Sequence, residues 1–269
     1  MADAFPGQAL RDFAAAELAA AGDALARTGD DLHEGVHRAR KSIRRTRAVL
    51  VLGDRLLGPG FELVDAQLRR LNDSLSPLRD AHALVETLQR LLDARVAAKT
   101  RDALLRALAE AVAARALETE QALVLDPGLR QRQALLRVLG AALVALDWTR
   151  LTPSSLRMAV ADSDGRALRA RKHVLRRGGE ADWHRWRRRV RRAGQQRNAL
   201  LAAGIALAQA DAFDKRTAER LGNAQDLSLL IDHCGPDSPF SKRECEQLLR
   251  YARPALQRLR RRLEVAALD

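Results

Sequence analysis

The stretch His37-Arg38-Ala39-Arg40-Lys41-Ser42-Ile43-Arg44-Arg45-Thr46-Arg47 decides how this chain folds. At 100° per residue on a helix, His37, Arg40, Lys41 and Arg44 share one face. Ala39, Ile43 and, a turn further on, Leu50 occupy the opposite face. The pattern returns half a chain later as His184-Arg185-Trp186-Arg187-Arg188-Arg189-Val190-Arg191-Arg192, with Trp183, Trp186 and Val190 on its apolar side. Both copies fit H-x-x-R-[KR]-x-x-R-R, so two helices carry the same cationic stripe in the same rotational phase. Like charges one turn apart destabilise a helix by roughly 0.2–0.5 kcal/mol per pair. Arg40 with Arg44, Lys41 with Arg45, Arg187 with Arg191 and Arg188 with Arg192 are all such pairs, and no acid lies within either stripe. A solvated helix face usually interleaves its signs. Two stripes that do not, in matching register, point to a bound anion.

A second short pattern extends the repeat. Leu75-Ser76-Pro77-Leu78-Arg79-Asp80 and Leu221-Gly222-Asn223-Ala224-Gln225-Asp226 both read L-[SG]-x-x-x-D. They follow their histidines at nearly equal distance, 43 residues from His37 to Asp80 and 42 from His184 to Asp226. Two motifs in the same order predict an internal duplication giving two similar helical bundles, pseudo-two-fold related. The boundary is placed at the cap-plus-proline signature Thr152-Pro153, giving bundles over 1–151 and 152–269.

Composition agrees with an all-α fold. The 269 residues are rich in Leu and Ala, aromatics make up 3%, and β-branched residues are sparse. Turn signals at Gly29, Gly53, Pro59-Gly60, Ser76-Pro77, Asp126-Pro127-Gly128, Thr152-Pro153, Gly178-Gly179 and Pro236 to Pro239 divide the chain into long helices. Helices of the second half are expected from about Asp211 and about Ser241. The formal charge is +13, and only Lys41, Lys99, Lys172, Lys215 and Lys242 among the 47 basic residues are lysines. Arginine binds phosphate through two parallel hydrogen bonds, which lysine does not. A G+C-rich coding sequence accounts for the arginine total but not for its arrangement.

Several chemistries are disfavoured. His33 and His37 stand four apart, but no third metal ligand is near and the surrounding cations repel a metal ion. No metal, cofactor or catalytic residue is expected, and His82, His173 and His233 read as ordinary polar residues. Cys234 and Cys245 have no partner motif and read as free thiols of a reducing compartment. The segment Met1 to Gly7 lacks a signal pattern, and the apolar run Ala199 to Ala208 is about half a bilayer span. A cytoplasmic protein without membrane partners is the expectation. Neighbouring arginines disfavour the imidazolium of His37 and His184 while a polyanion favours it. Binding is therefore expected to tighten as pH falls below about 6.5. Asp80 and Asp226 are candidates either to orient stripe residues or to act as capping or solvated acids.

At these residues the chain resembles a CHAD domain, the conserved histidine α-helical domain. The resemblance covers both His-plus-basic helices and both leucine-to-aspartate patterns. It implies two similar bundles whose basic helices line a central positive channel or groove, with inorganic polyphosphate as ligand and association with polyphosphate granules. Carried over by position, the implied binding set is His37, Arg40, Lys41, Arg44, Arg45, Arg47 and Arg79, with His184, Arg187, Arg188, Arg191 and Arg192. Asp80 and Asp226 are the implied orienting acids. Two departures stand out: Gly194-Gln195 interrupts the second stripe, with Arg197 as a partial substitute, and Gln225 occupies the place of Arg79.

Two competing functions share the basicity. A nucleic-acid binder reading single strands would offer aromatic platforms, and this chain has one Tyr and three Trp. A phosphohydrolase, or an accessory domain of a triphosphate-processing enzyme, is the other. Glu118-x-Glu120 and Glu244-x-Glu246 lack the lysine of the E-x-E-x-K signature that marks such enzymes, and no acidic cluster suggests their metals. The expectation is a non-catalytic binding module.

Overall fold

A computed structural model describes residues 6–93, 97–206, 212–236 and 238–265. Met1 to Phe5 and the helix start expected at Asp211 lie outside them. The described residues are helical throughout, without strands. The helices are α1 (Pro6–Leu25), α2 (Leu32–Gly53), α3 (Gly60–Ser74), α4 (Ser76–Asp93), α5 (Ala98–Leu125), α6 (Arg130–Val144), α7 (Pro153–Arg177), α8 (Glu180–Ala202), α9 (Lys215–Asp232) and α10 (Lys242–Val265).

Local chemistry accounts for the clearest boundaries. The Thr152 hydroxyl accepts the Ser155 amide at 3.1 Å, and Ser155 returns the bond to the Thr152 amide, so a capping box with Pro153 in the first turn starts α7. Gly178, at φ +65°, ends it in the left-handed conformation that costs glycine nothing. Asp214 caps α9 by accepting the Thr217 amide at 2.7 Å.

The chain divides into two compact units. The first joins residues 1–76 to 125–213, and the second joins 77–124 to 214–269. Both sequence halves therefore contribute to both units, and Leu151 and Thr152 both lie within the first. In the first unit α2 packs on α1, α3, α7 and α8. Ala39, Ile43 and Leu50 of α2 and Trp183, Trp186 and Val190 of α8 are buried, as their phase requires. Ala14, Ala21 and Ala24 give α1 a small-residue face, and Gly35 of α2 lies where a Cβ would strike the Ala24 carbonyl. Close approach of α1 and α2 depends on that missing side chain. The Gln196 amide of α8 donates to the Ala48 carbonyl of α2 at 3.0 Å, fixing the register between the stripe helices.

The second unit packs α4, α5, α9 and α10 around Leu84, Leu88, Leu104, Leu230 and Leu248. Cys234 and Cys245 are free thiols there, and burial beside Cys245 pushes the Cys234 thiol up to about 12. Cys234 is therefore not primed for nucleophilic chemistry. Among the described residues no helix is long and apolar enough to cross a membrane.

Candidate anion-binding site

The two stripes meet inside the first unit. Because α2 packs on α8 and Gln196 sets their register, the motif positions seven residues after each histidine, Arg44 and Arg191, face one another. Burial pulls the Arg191 guanidinium down to about 9, reinforced in turn by the charges of Arg44, Arg187, Arg40 and Arg188. At the next residue, Arg192 is lowered by burial and by Arg189 and Arg47, with Asp65 opposing. Arg189 is lowered by burial, then by Arg166, Arg188 and Arg185. The fold thus gathers cations from α2, α7 and α8 into a continuous band that disfavours its own charge.

Not every stripe residue is available to a ligand. Arg40 lies on the face of α2 opposite Ala39 and Ile43, yet it meets packed structure there. It is half-buried, and its Nη1 donates to the Asn72 carbonyl at 2.5 Å and to Ser76 Oγ at 2.7 Å. Arg40 therefore ties α2 to the junction of α3 and α4 while contributing charge beside Arg191. The acids missing from the stripes arrive from other helices. Arg47 makes a two-pronged pair with Asp65 of α3 at 2.8 and 3.0 Å, and Arg45 pairs with Glu17 of α1 at 2.9 Å. Arg197 is nearly buried in an ion pair with Asp164 of α7, so it supports the fold rather than extending the stripe past Gly194-Gln195.

His37 lies on the other flank of α2, in a groove of about 560 Å3 between α1 and α2 that Lys41, Arg45, Arg27 and Glu34 also line. The Arg38 hydrogen bond at 2.6 Å holds the Glu34 carboxyl below its usual range; burial opposes it, while charges including His37 and Arg27 assist. Lys41, His184 and Arg188 are exposed. Arg79, Asp80 and Asp226 belong to the second unit. There Arg79 pairs with Glu86 at 2.6 Å, and Asp226 pairs with Arg90 at 2.8 Å. Burial pushes the His233 imidazole below its usual range, and the charges of Asp80 and Asp232 oppose that shift.

Sequence reasoning missed Arg166, Asp65 and Glu17. Arg166 carried a faint signal, since it stands four after Asp162 on a basic helix and the two pair at 2.5 Å. Asp65 and Glu17 carried none, because their pairing depends on how helices pack. Among the described residues no group of three or more His, Cys, Asp or Glu is arranged to hold a metal ion.

These contacts separate scaffold from ligand face. Arg40→Ala should lower stability by about 1–3 kcal/mol, because the Asn72 carbonyl and Ser76 hydroxyl lose a charged donor. Lys41→Ala should lie within about 0.5 kcal/mol of the parent, as expected for an exposed position. Urea unfolding of both variants checks the pair. Asp65→Asn should act in opposite directions on two measurements. It loosens the fold by about 1–3 kcal/mol and releases Arg47 to an anion, so affinity for a polyanion rises as stability falls.

A CHAD domain family model matches residues 9–235. Among solved structures, the CHAD domain from the plant Ricinus communis superposes with a TM-score of 0.58 at 20% identity, covering 96% of this chain and 84% of that one. PptA from Streptomyces chartreusis superposes with a TM-score of 0.60, also at 20% identity, covering 97% and 95%. At that identity the likenesses speak for the fold alone. No curated protein matches the chain.

Proposed function

The chain belongs to the CHAD domain family, and we propose that it binds inorganic polyphosphate, without cleaving it, along the facing arginine stripes of α2 and α8. The observation that carries this reading is Arg191, half-buried against Arg44, Arg187, Arg40 and Arg188 with its pKa drawn down to about 9. A fold that assembles mutually repelling guanidiniums gains most from a ligand with dense, repeating negative charge and no other feature to read. Polyphosphate has about that character. Each phosphate neutralised should cost roughly 0.7–0.9 log units of affinity per decade of salt, by analogy with nucleic acids.

The opposition of Arg44 and Arg191 at matched motif positions also supports reading the chain as a duplication. In that reading α1 with α2 corresponds to α7 with α8, and the two stripes form the walls of one basic groove. Trp183 and Trp186 favour polyphosphate over single-stranded nucleic acid, since both are buried and offer no stacking platform. The absence of cleavage fits the glutamates of the sequence. Glu244 is engaged by Ser241 and Arg106, which hold its carboxyl low, and Glu118 and Glu120 stand on the helix α5. The reading places the protein in the cytoplasm, where it would gather on polyphosphate granules.

Calorimetric titration with polyphosphates of defined length, beside duplex DNA and ATP at two salt concentrations, tests it. Polyphosphate binding tighter than DNA at equal phosphate, with affinity rising with chain length, is the expected result. DNA binding more tightly would replace this reading with a nucleic-acid one. Phosphate release with added Mg2+ or Mn2+, abolished by changing a stripe residue, would overturn the non-catalytic part.

A further inference from the structure

The second unit holds a cavity of about 340 Å3 among α4, α9 and α10 that the polyphosphate reading does not use. Its volume is at the small end of ligand pockets, enough for a compact molecule. The wall is apolar where Leu91, Leu227, Ala255 and Leu259 line it. Tyr251, the sole tyrosine of the chain, lines it as well. Arg258 and Arg262 stand one turn apart on α10 at its exposed edge. Among the described residues neither has an acid partner, whereas Arg90 at the same edge is already paired with Asp226. The cavity therefore combines an apolar interior with two uncommitted guanidiniums.

An independent observation points to an occupant. Thr87 lines the cavity, is 2% exposed, and its hydroxyl has no hydrogen-bond partner. A buried hydroxyl without a partner costs about 1–3 kcal/mol unless something satisfies it. Thr87 is thus a polar group set among apolar walls, where a ligand heteroatom would complete it.

We infer that this cavity binds a nucleoside phosphate. The flat base lies against Tyr251 and the leucines, a ring heteroatom meets the Thr87 hydroxyl, and the phosphates reach Arg258 and Arg262. Two guanidiniums spaced four residues apart suit a diphosphate better than a single charge. A linear polyphosphate would leave Thr87 and the apolar wall unused, and an uncharged nucleoside would leave the arginines unused. The ligand that matches all three features carries both parts.

Calorimetry with ADP, adenosine and tripolyphosphate as probes tests this on the full chain carrying Arg44→Gln with Arg191→Gln, so that the stripes of α2 and α8 do not take up the tripolyphosphate. ADP is expected to bind at one site, with adenosine and tripolyphosphate each weaker by roughly tenfold or more, since each forfeits one set of contacts. Tyr251→Ala should weaken ADP by roughly tenfold. Thr87→Val, which keeps shape and removes the orphaned hydroxyl, should weaken ADP about fivefold while leaving the thermal midpoint unchanged or higher. Binding of ADP should survive Arg44→Gln with Arg191→Gln, which separates this site from the polyphosphate stripes. Tripolyphosphate matching ADP with Tyr251→Ala indifferent would reduce the site to its arginines and overturn the proposal. ADP failing to bind at millimolar concentration would overturn it outright.

Discussion

Replacing Arg191 with methionine should make the ligand-free protein more heat-stable and, in the same variant, weaken polyphosphate binding by roughly tenfold or more. Arg191 is half-buried and faces Arg44, Arg187, Arg40 and Arg188. A similar-volume apolar side chain removes the buried charge and the repulsion together. Such exchanges of buried charge stabilise by about 1–4 kcal/mol, which in a chain of this size is a rise of about 5 °C. The sign with pH follows from the lowered pKa. Folded Arg191 is drawn down to about 9 while unfolded arginine stays protonated well above that, so as pH rises past 9 the unfolded chain binds more protons and stability increases with pH. Below pH 9 the penalty is present in full. The midpoint gap between parent and Arg191→Met should therefore be constant at neutral pH and shrink as pH rises through 9. Polyphosphate at about a hundred times the parent's dissociation constant adds about 2.7 kcal/mol to the parent and about 1.4 kcal/mol or less to the variant. Differential scanning fluorimetry across pH, with and without polyphosphate, reads all of this. A variant less stable than its parent would show that the cluster is not self-repelling.

Reversing charge at Arg44 and Arg187 together should abolish polyphosphate binding. Arg44→Glu with Arg187→Glu replaces two cations by two anions on facing helices, next to a ligand of the same sign. Each like-charge contact costs several kcal/mol at such close range, so binding should vanish at millimolar ligand. The neutral pair Arg44→Gln with Arg187→Gln should leave weak binding whose salt slope is flatter by about 1.5. Both positions are half-buried on the stripe, away from the buried Ile43 and Trp186 sides of their helices, so the helical circular dichroism should be retained. An unchanged slope in the neutral variant would mean the ligand does not touch these stripes.

Helices were legible because their causes are local. The apolar phase of α2 and α8, the Thr152-Pro153 start and the Gly178 stop each follow from a few neighbouring residues. The stripes were legible as charge in a register, and their opposition followed once both apolar sides were buried. What each cation does was not legible. Arg45 and Arg47 look equivalent to Arg44 in sequence, yet Glu17 and Asp65 engage them, and nothing near either acid announces the pair. Arg40 reads as an outward-facing residue, but it meets a carbonyl 32 positions away. Pairings of this kind depend on interhelical packing, which periodicity does not encode. The grouping of helices into units is non-local for the same reason.

That grouping has a consequence for how the protein is made. The second unit takes α4 and α5 from residues 77–124 and α9 and α10 from 214–269. On a ribosome adding about 5–20 residues per second, α4 and α5 wait several seconds to over ten for the next ninety residues before their partners begin to emerge. Leu84, Leu88 and Leu104 have no α9 or α10 to cover them in that interval. Nascent chains of this protein should therefore recruit chaperones near the end of α5 and release them only after α10 clears the exit tunnel. A gene cut at the 151/152 boundary should yield two polypeptides, each sticky alone and foldable only in company.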